Sequence, residues 1–181
     1  MKRSAFALLV FAFAALTAFG QGKEMAKKSK KAKGNTSMTA DLPYTADYSS
    51  NFSMGKPQLA KRILDLHKDY ESADWSKDSW FSDTLMAIFP DGNIIQGKDA
   101  VLEAFKKERE ANSAISFRFD AIIPLMSVDR NEDWVALWGT ETITSNENGA
   151  TPQHQDFQSV WKINKDDKVA FIRFFNAKTP M

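Results

Sequence analysis

The chain has 181 residues, with 24 Lys and Arg, 23 Asp and Glu, two His and no Cys. That length suits one ordinary domain with extensions. The lack of cysteine excludes a disulfide framework, a thiolate zinc site, a cysteine nucleophile and an iron–sulfur cluster. The near-neutral total hides charges of +2 over residues 1–20, +5 over 21–40 and −6 over 41–181, so the main body is acidic and no nucleic-acid-binding surface is expected.

Lys2 and Arg3 precede a 15-residue uncharged stretch, Ala5 to Phe19, in which only Thr17 is polar. Ala18 and Gly20 place small residues at the −3 and −1 positions of a cleavage site. This is the pattern of a secretory signal peptide over residues 1–20, cut after Gly20. It falls short of the about 20 apolar residues that span a bilayer. No Cys follows to take a lipid, and no second long apolar run occurs. The chain is therefore expected to be exported, periplasmic or secreted, and not membrane-spanning.

Residues 21–56 read as a flexible linker. Lys27, Lys28, Lys30, Lys31 and Lys33 crowd together and repel, and Ser, Thr, Gly and Asn dominate the stretch after them. Those lysines suit weak contact with an anionic surface; the plainer reading is a solvated tether. Tyr44, Tyr48 and Phe52 are placed to pin its end onto the domain that starts at 57 and runs to 181.

Leu59, Ile63, Leu66 and Tyr70 recur at spacings of four, three and four, which predicts a helix from Pro57 to about Ser72. Pro57 suits its first turn. Ser76 is positioned to cap a short second helix carrying Trp80 and Phe81. Leu85 to Phe89 reads as a strand, Pro90 to Asn93 as a turn and Ile94 to Gln96 as a second short strand. After Gly97, Lys98 to about Ala111 reads as a helix with Val101, Leu102 and Phe105 inward.

After Asn112-Ser113 everything reads as strand. Ile115, Phe117, Phe119 and Ala121 share one alternation. Pro124 demands an edge or a bulge. A turn at Asp129 to Asp133 leads into a strand from Trp134 to Thr144, and Gln153 to Ile163 and Val169 to Asn176 form a closing hairpin. Helices segregated from a run of antiparallel strands indicate an α+β fold, with the helices covering one face of a curved sheet.

Several ordered motifs carry a resemblance. They are Ala73-Asp74-Trp75, Phe81-Ser82-Asp83 before Leu85–Phe89, Asp91-Gly92, Gly97-Lys98-Asp99-Ala100-Val101, and Phe171-Ile172-Arg173-Phe174-Phe175-Asn176. In this order the chain over about 57–178 resembles the nuclear transport factor two-like superfamily and, within it, the SnoaL-like group. The resemblance implies a cystatin-like cone, a bent sheet around a long helix with one pocket inside. Members include isomerases, dehydratases and polyketide cyclases as well as proteins that only bind or dimerise, so the fold leaves function open. The ketosteroid isomerase acids of the superfamily fall here on Phe89 and Ser159. The tyrosine donor falls on Leu66 or His67. With no acid at either position that activity is rejected.

No nucleophile elbow and no phosphate-cradling loop occur. His67 and His154 lie on different elements without a close acidic set, so neither a metal nor a cofactor is expected. His67 and Asp83 are the weak catalytic candidates, against packing for His67 and a bridge at the helix–strand corner for Asp83. His154-Gln155-Asp156 has triad residues, but alternation turns His154 and Asp156 away from Ser159. The stronger signal is aromatic. Phe157, Ser159, Trp161 and Ile163 share a face that, by the resemblance, looks into the cone with Ile172 and Phe174. Leu66, Trp80, Phe105, Phe119, Ser159, Trp161, Ile172 and Phe174 are the expected ligand-binding residues. The same aromatics would equally fill a solid core.

The reading is an exported SnoaL-like domain binding a small, mostly apolar ligand without established catalysis. One alternative is an isomerase, dehydratase or cyclase using His67 or Asp83. The other is a structural dimerisation module. Trp134, Ala136 and Trp138, with Phe171 and Phe175, put apolar groups on the outer alternation, which predicts a homodimer through the outer sheet face.

Overall fold

The computed structural model describes residues 43–178. The expected signal peptide, the expected cleavage after Gly20 and the lysine cluster lie outside the described residues. The elements are β1 (Phe52–Met54), α1 (Pro57–Ser72), a short 3-10 turn (Asp78–Trp80), β2 (Phe81–Ile88), β3 (Ile94–Gln96), α2 (Lys98–Glu110), β4 (Asn112–Ser127), β5 (Glu132–Ser145), β6 (Gln153–Ile163) and β7 (Val169–Lys178). Among the described residues no helix is long and apolar enough to cross a membrane.

The seven strands form one curved sheet in the order β1-β4-β5-β6-β7-β2-β3. The four long strands β4 to β7 pair antiparallel with one another, as expected. The sheet is nevertheless mixed, because β2 runs parallel to β7. Alternation within a strand carries no sign of its neighbour's direction, which is why the all-antiparallel expectation needs this correction. β1 lies inside the stretch that composition assigns to the linker. It adds to the β4 edge through Phe52, Ser53 and Met54 opposite Ser127, Met126 and Leu125.

The helix α1 begins with Pro57, whose missing N–H is harmless there. It ends at Ala73 in the left-handed region, φ 56°, where the Ala73 N–H bonds the Tyr70 carbonyl and the Asp74 N–H bonds that of Asp69. Its inward stripe is the predicted one: Leu59, Ile63 and Leu66 are buried against Leu85, Val101, Val135, Leu137 and Ile172. Burying such a side chain contributes about 1.5–3 kcal/mol, so this stripe docks the helix on the concave face.

The expected second helix is absent as such. The Asp74 carboxylate takes the Ser76 N–H at 2.9 Å, so Ser76 caps nothing and the chain makes only the 3-10 turn before Trp80. Phe81 belongs to β2, which starts four residues earlier than predicted because Phe81 pairs with Val169. The turn after β2 forms as expected, with Gly92 at φ 86° and the Asn93 N–H bonded to the Asp91 carboxylate at 2.9 Å. The turn after β4 is shorter than predicted, and β5 opens at Glu132.

Pro124 sits on the free side of β4: its carbonyl accepts the Gly55 N–H at 2.9 Å, so its missing donor faces the edge. The bulge lies instead at Asp120, between Phe119 and Ala121. It corrects the predicted alternation: Phe119 opposes Gly139, Ala121 opposes the outward Trp138, and Ile122 rather than Ala121 packs on the core. The kink bends the sheet around the helices.

Candidate functional site

Between α1, α2 and the concave sheet lies a half-open cavity of about 120 Å³. The α1 stripe brings Leu66, His67 and Tyr70 to it. From α2 come Leu102, Phe105 and Glu108, from the turn after β2 Phe89, and from the sheet Phe117, Glu141, Phe157, Trp161, Phe174 and Asn176. Of the eight expected ligand residues, Leu66, Phe105, Trp161 and Phe174 line this space.

The other four lie outside the wall. Ile172 is fully buried in the core. Phe119 stands behind His67, ring centroids 5.2 Å apart. Trp80 carries the Arg62 guanidinium over its ring at 4.5 Å, away from the cavity. Ser159 is fully buried and its Oγ accepts the Trp161 indole N–H at 2.9 Å. The serine thus fixes the orientation of a wall tryptophan, and its oxygen is already engaged.

The catalytic candidates separate. Asp83 is exposed and pairs with Lys98 at the start of α2, 3.1 Å away, which is the corner bridge and no part of the wall. His154 and Asp156 are exposed on the face opposite Phe157 and Ser159, as alternation predicts. His67 is in the wall and only 7 % exposed. Its Nδ1 lies 2.9 Å from the Ile63 carbonyl. A carbonyl can only accept, so Nδ1 carries the proton and Nε2 keeps its lone pair. The ring is enclosed by Phe117 and Phe119 edge-on and by Trp161 at 5.3 Å. Burial pushes its pKa down to about 4, so it is neutral at physiological pH. Among the described residues Nε2 has no hydrogen-bond partner.

Two acids in the same wall were not picked out from sequence. Glu141 is 8 % exposed and accepts the Gln155 side-chain N–H at 2.6 Å. Glu108 is reached by solvent and stands at the mouth. Withdrawal from water holds both carboxyls above the usual range; at Glu141 the charge of Glu108 adds to it while the Gln155 bond opposes it. Tyr70 stands beside them, its hydroxyl pKa raised by burial first and then by the two carboxylate charges. The signal was available: Glu141 shares the alternation of Val135, Leu137 and Gly139, and Glu108 follows Val101 and Phe105 on the inward stripe of α2. An acid on an apolar face marks a site more sharply than another aromatic does.

No family model matches the sequence, and no sequence relative is found among curated proteins. Solved structures do match. A protein described as a SnoaL-like polyketide cyclase from Shewanella denitrificans OS-217 superposes with TM-score 0.57 at 8 % identity, over 67 % of this chain and 92 % of its own. An LEH-like epoxide hydrolase of M. tuberculosis gives 0.53 at 12 % identity, over 66 % of this chain and 84 % of its own. TerC, co-crystallised with polyporic acid, gives 0.53 at 16 % identity, over 66 % and 91 %. With an NTF2-like protein of unknown function from Exiguobacterium sp. 255-15 at TM-score 0.50, these likenesses make the fold the α+β cone of the nuclear transport factor two-like type.

Proposed function

We propose that this is an exported cone domain whose cavity binds a small, mostly apolar molecule. The carrying observation is the half-open, aromatic-walled cavity between the helices and the sheet, with Leu66, Phe105, Trp161 and Phe174 in its wall. Its volume of about 120 Å³ compares with about 150 Å³ for an apolar cavity that holds one benzene molecule, so the buried part of the ligand is of single-ring size and sterols are too large. Export through the segment 1–20 and pairing into a homodimer through the outer sheet face belong to the same proposal. The test is intrinsic tryptophan fluorescence with toluene and indole. Both are expected to shift the emission of Trp75 and Trp161 in the wild type, with an altered response in Trp161→Ala. No shift with either compound would leave a structural module.

A second reading, an acid–base enzyme, is favoured by one observation: a neutral His67 with a free Nε2 shares the cavity with two carboxyls of raised pKa. The epoxide hydrolase and cyclase neighbours are consistent with chemistry on this fold. Asp83, exposed and paired, has no part in that reading, and Glu141 takes its place. Turnover of any ligand that the binding screen finds, abolished in both His67→Phe and Glu141→Gln, would establish it.

A further inference from the structure

The cavity wall is unbalanced in charge and in hydrogen-bonding sense. Five acids, Asp69, Asp74, Asp78, Glu108 and Glu141, line it with one cation, Lys77. That cation is committed to Asp69 at 2.6 Å. Apart from it, Asn176 and the Trp75 indole N–H, the side-chain polar groups lining the space can accept. Glu141 and Glu108 are carboxyls, and the Tyr70 hydroxyl stands beside them. The nine-tenths-buried ring of His67 offers the lone pair of Nε2 with no partner among the described residues. His67 and Tyr70 are three residues apart on α1, so they present neighbouring positions on one helix face. Around these acceptors stand aromatic faces, among them Tyr70, Trp75, Phe105, Phe117, Phe157 and Trp161.

Acceptors inside an aromatic enclosure suit one ligand class. A cation gains from the negative faces of the rings and from charge-assisted bonds to carboxylates, and an ammonium carries several N–H donors for separate acceptors. We propose that the ligand is a small organic amine, bound as its cation, with its ammonium at Glu141, Glu108 and Tyr70 and its apolar body against Phe105, Phe117 and Trp161. This rests on the ligand-binding reading above and names its substrate class. A bound cation would also relieve the two acids. Empty, the site holds both carboxyls above their usual pKa, and an adjacent positive charge reverses that. Among the described residues the acids and histidines do not gather as a metal-ligand set, which leaves an organic cation as the better match.

The experiment compares three probes of one ring and nearly one length: benzylamine, benzyl alcohol and benzoate. Each is titrated calorimetrically into the full chain near neutral pH, with the wild type, Glu141→Gln and Glu108→Gln. Thermal melts confirm that the variants fold. Benzylamine is expected to bind about tenfold or more tighter than benzyl alcohol, with no measurable binding of benzoate. Glu141→Gln is expected to lower amine affinity about tenfold and to leave the alcohol within about twofold, with Glu108→Gln doing the same more weakly. Should Glu141→Gln fail to fold, the mouth-side Glu108→Gln carries the comparison. The alcohol or benzoate binding as tightly as the amine, or amine affinity indifferent to both variants, would overturn the amine assignment and leave a cavity for small apolar molecules. Failure of all three probes to bind would overturn the amine assignment, and failure of toluene and indole as well would overturn the ligand-binding reading.

Discussion

Trp161 and His67 show how single residues set this site. The Trp161 indole N–H is spent on Ser159, inside a wall where no water replaces that acceptor. Ser159→Ala removes a hydroxyl and strands a buried donor, so a loss of about 1–3 kcal/mol is expected in urea unfolding. Trp161→Ala, which removes the ring itself, should cost about 3–5 kcal/mol. His67 supplies a pH dependence of defined sign. Its folded-state pKa of about 4 lies below the roughly 6.5 of an unfolded histidine, so the fold prefers the neutral ring. The stability from this group is complete above about pH 6.5 and is lost as pH falls towards 4, up to about 3 kcal/mol in all. Glu141 runs the other way. Its raised pKa favours the fold at low pH, and that advantage is lost as pH rises through the folded value. Denaturant midpoints from pH 4 to 8 should therefore fall less on acidification in His67→Phe than in the wild type. Glu141→Gln should unfold at higher denaturant than the wild type at neutral pH. Parallel curves for wild type and His67→Phe would show that the ring titrates normally.

At the scale of elements, the β4–β5 pair holds the curvature. Gly139 faces the bulge, and a Cβ built on it would lie 1.9 Å from the Arg118 carbonyl oxygen, on backbone that has no freedom to retreat. Gly139→Ala is expected to cost about 1–3 kcal/mol or more, with faster hydrogen exchange across Phe117 to Ala121, because the bulge must shift to admit a methyl group. A variant of wild-type stability would show that the bulge is soft. This pair also marks where sequence stops being informative. Helices and long strands were legible because Leu59, Ile63, Leu66 and the β6 series Phe157, Ser159, Trp161, Ile163 repeat at their proper periods. The bulge was not, since one inserted residue, Asp120, changes the phase without leaving a compositional mark. Nor was β1, whose Phe52–Met54 is stabilised by the β4 edge rather than by its own pattern. The site followed the same division. Periodicity put Leu66, Phe105, Trp161 and Phe174 on inward faces, and the resemblance made those faces the walls of a pocket. Phe119, Ser159 and Ile172 share the inward phase but sit one layer behind the wall, a depth that periodicity does not encode.

For the whole molecule, the proposed homodimer forms through the convex face of the sheet. One end of it is already covered by the chain itself. Tyr48 meets the Trp134 ring edge-on at 5.6 Å, bonds the Glu132 carboxylate through its hydroxyl, and is flanked by the Arg130 guanidinium and by Lys162, which pairs with Glu132 at 2.6 Å. The other end is open. Trp138 and Phe175 are 38 % and 41 % exposed, and both lie opposite Gln158, so they form one patch across β5, β6 and β7. Two large aromatics flanking Gln158 on a convex sheet suit a self-complementary contact about a two-fold axis. A dimer is therefore expected by light scattering after size exclusion. Trp138→Arg should convert it to monomer, because it removes the large apolar ring from the patch and puts a charge in its place on both copies. Tyr48→Ala loosens only the covered end and should leave the dimer intact, though with faster hydrogen exchange at Phe52 to Met54. The two variants separate the explanations for the apolar outer alternation. A wild-type monomer at high micromolar concentration, with Tyr48→Ala associating instead, would mean that the segment from Tyr48 to Met54 shields the face and that the Trp138 patch is too small to pair.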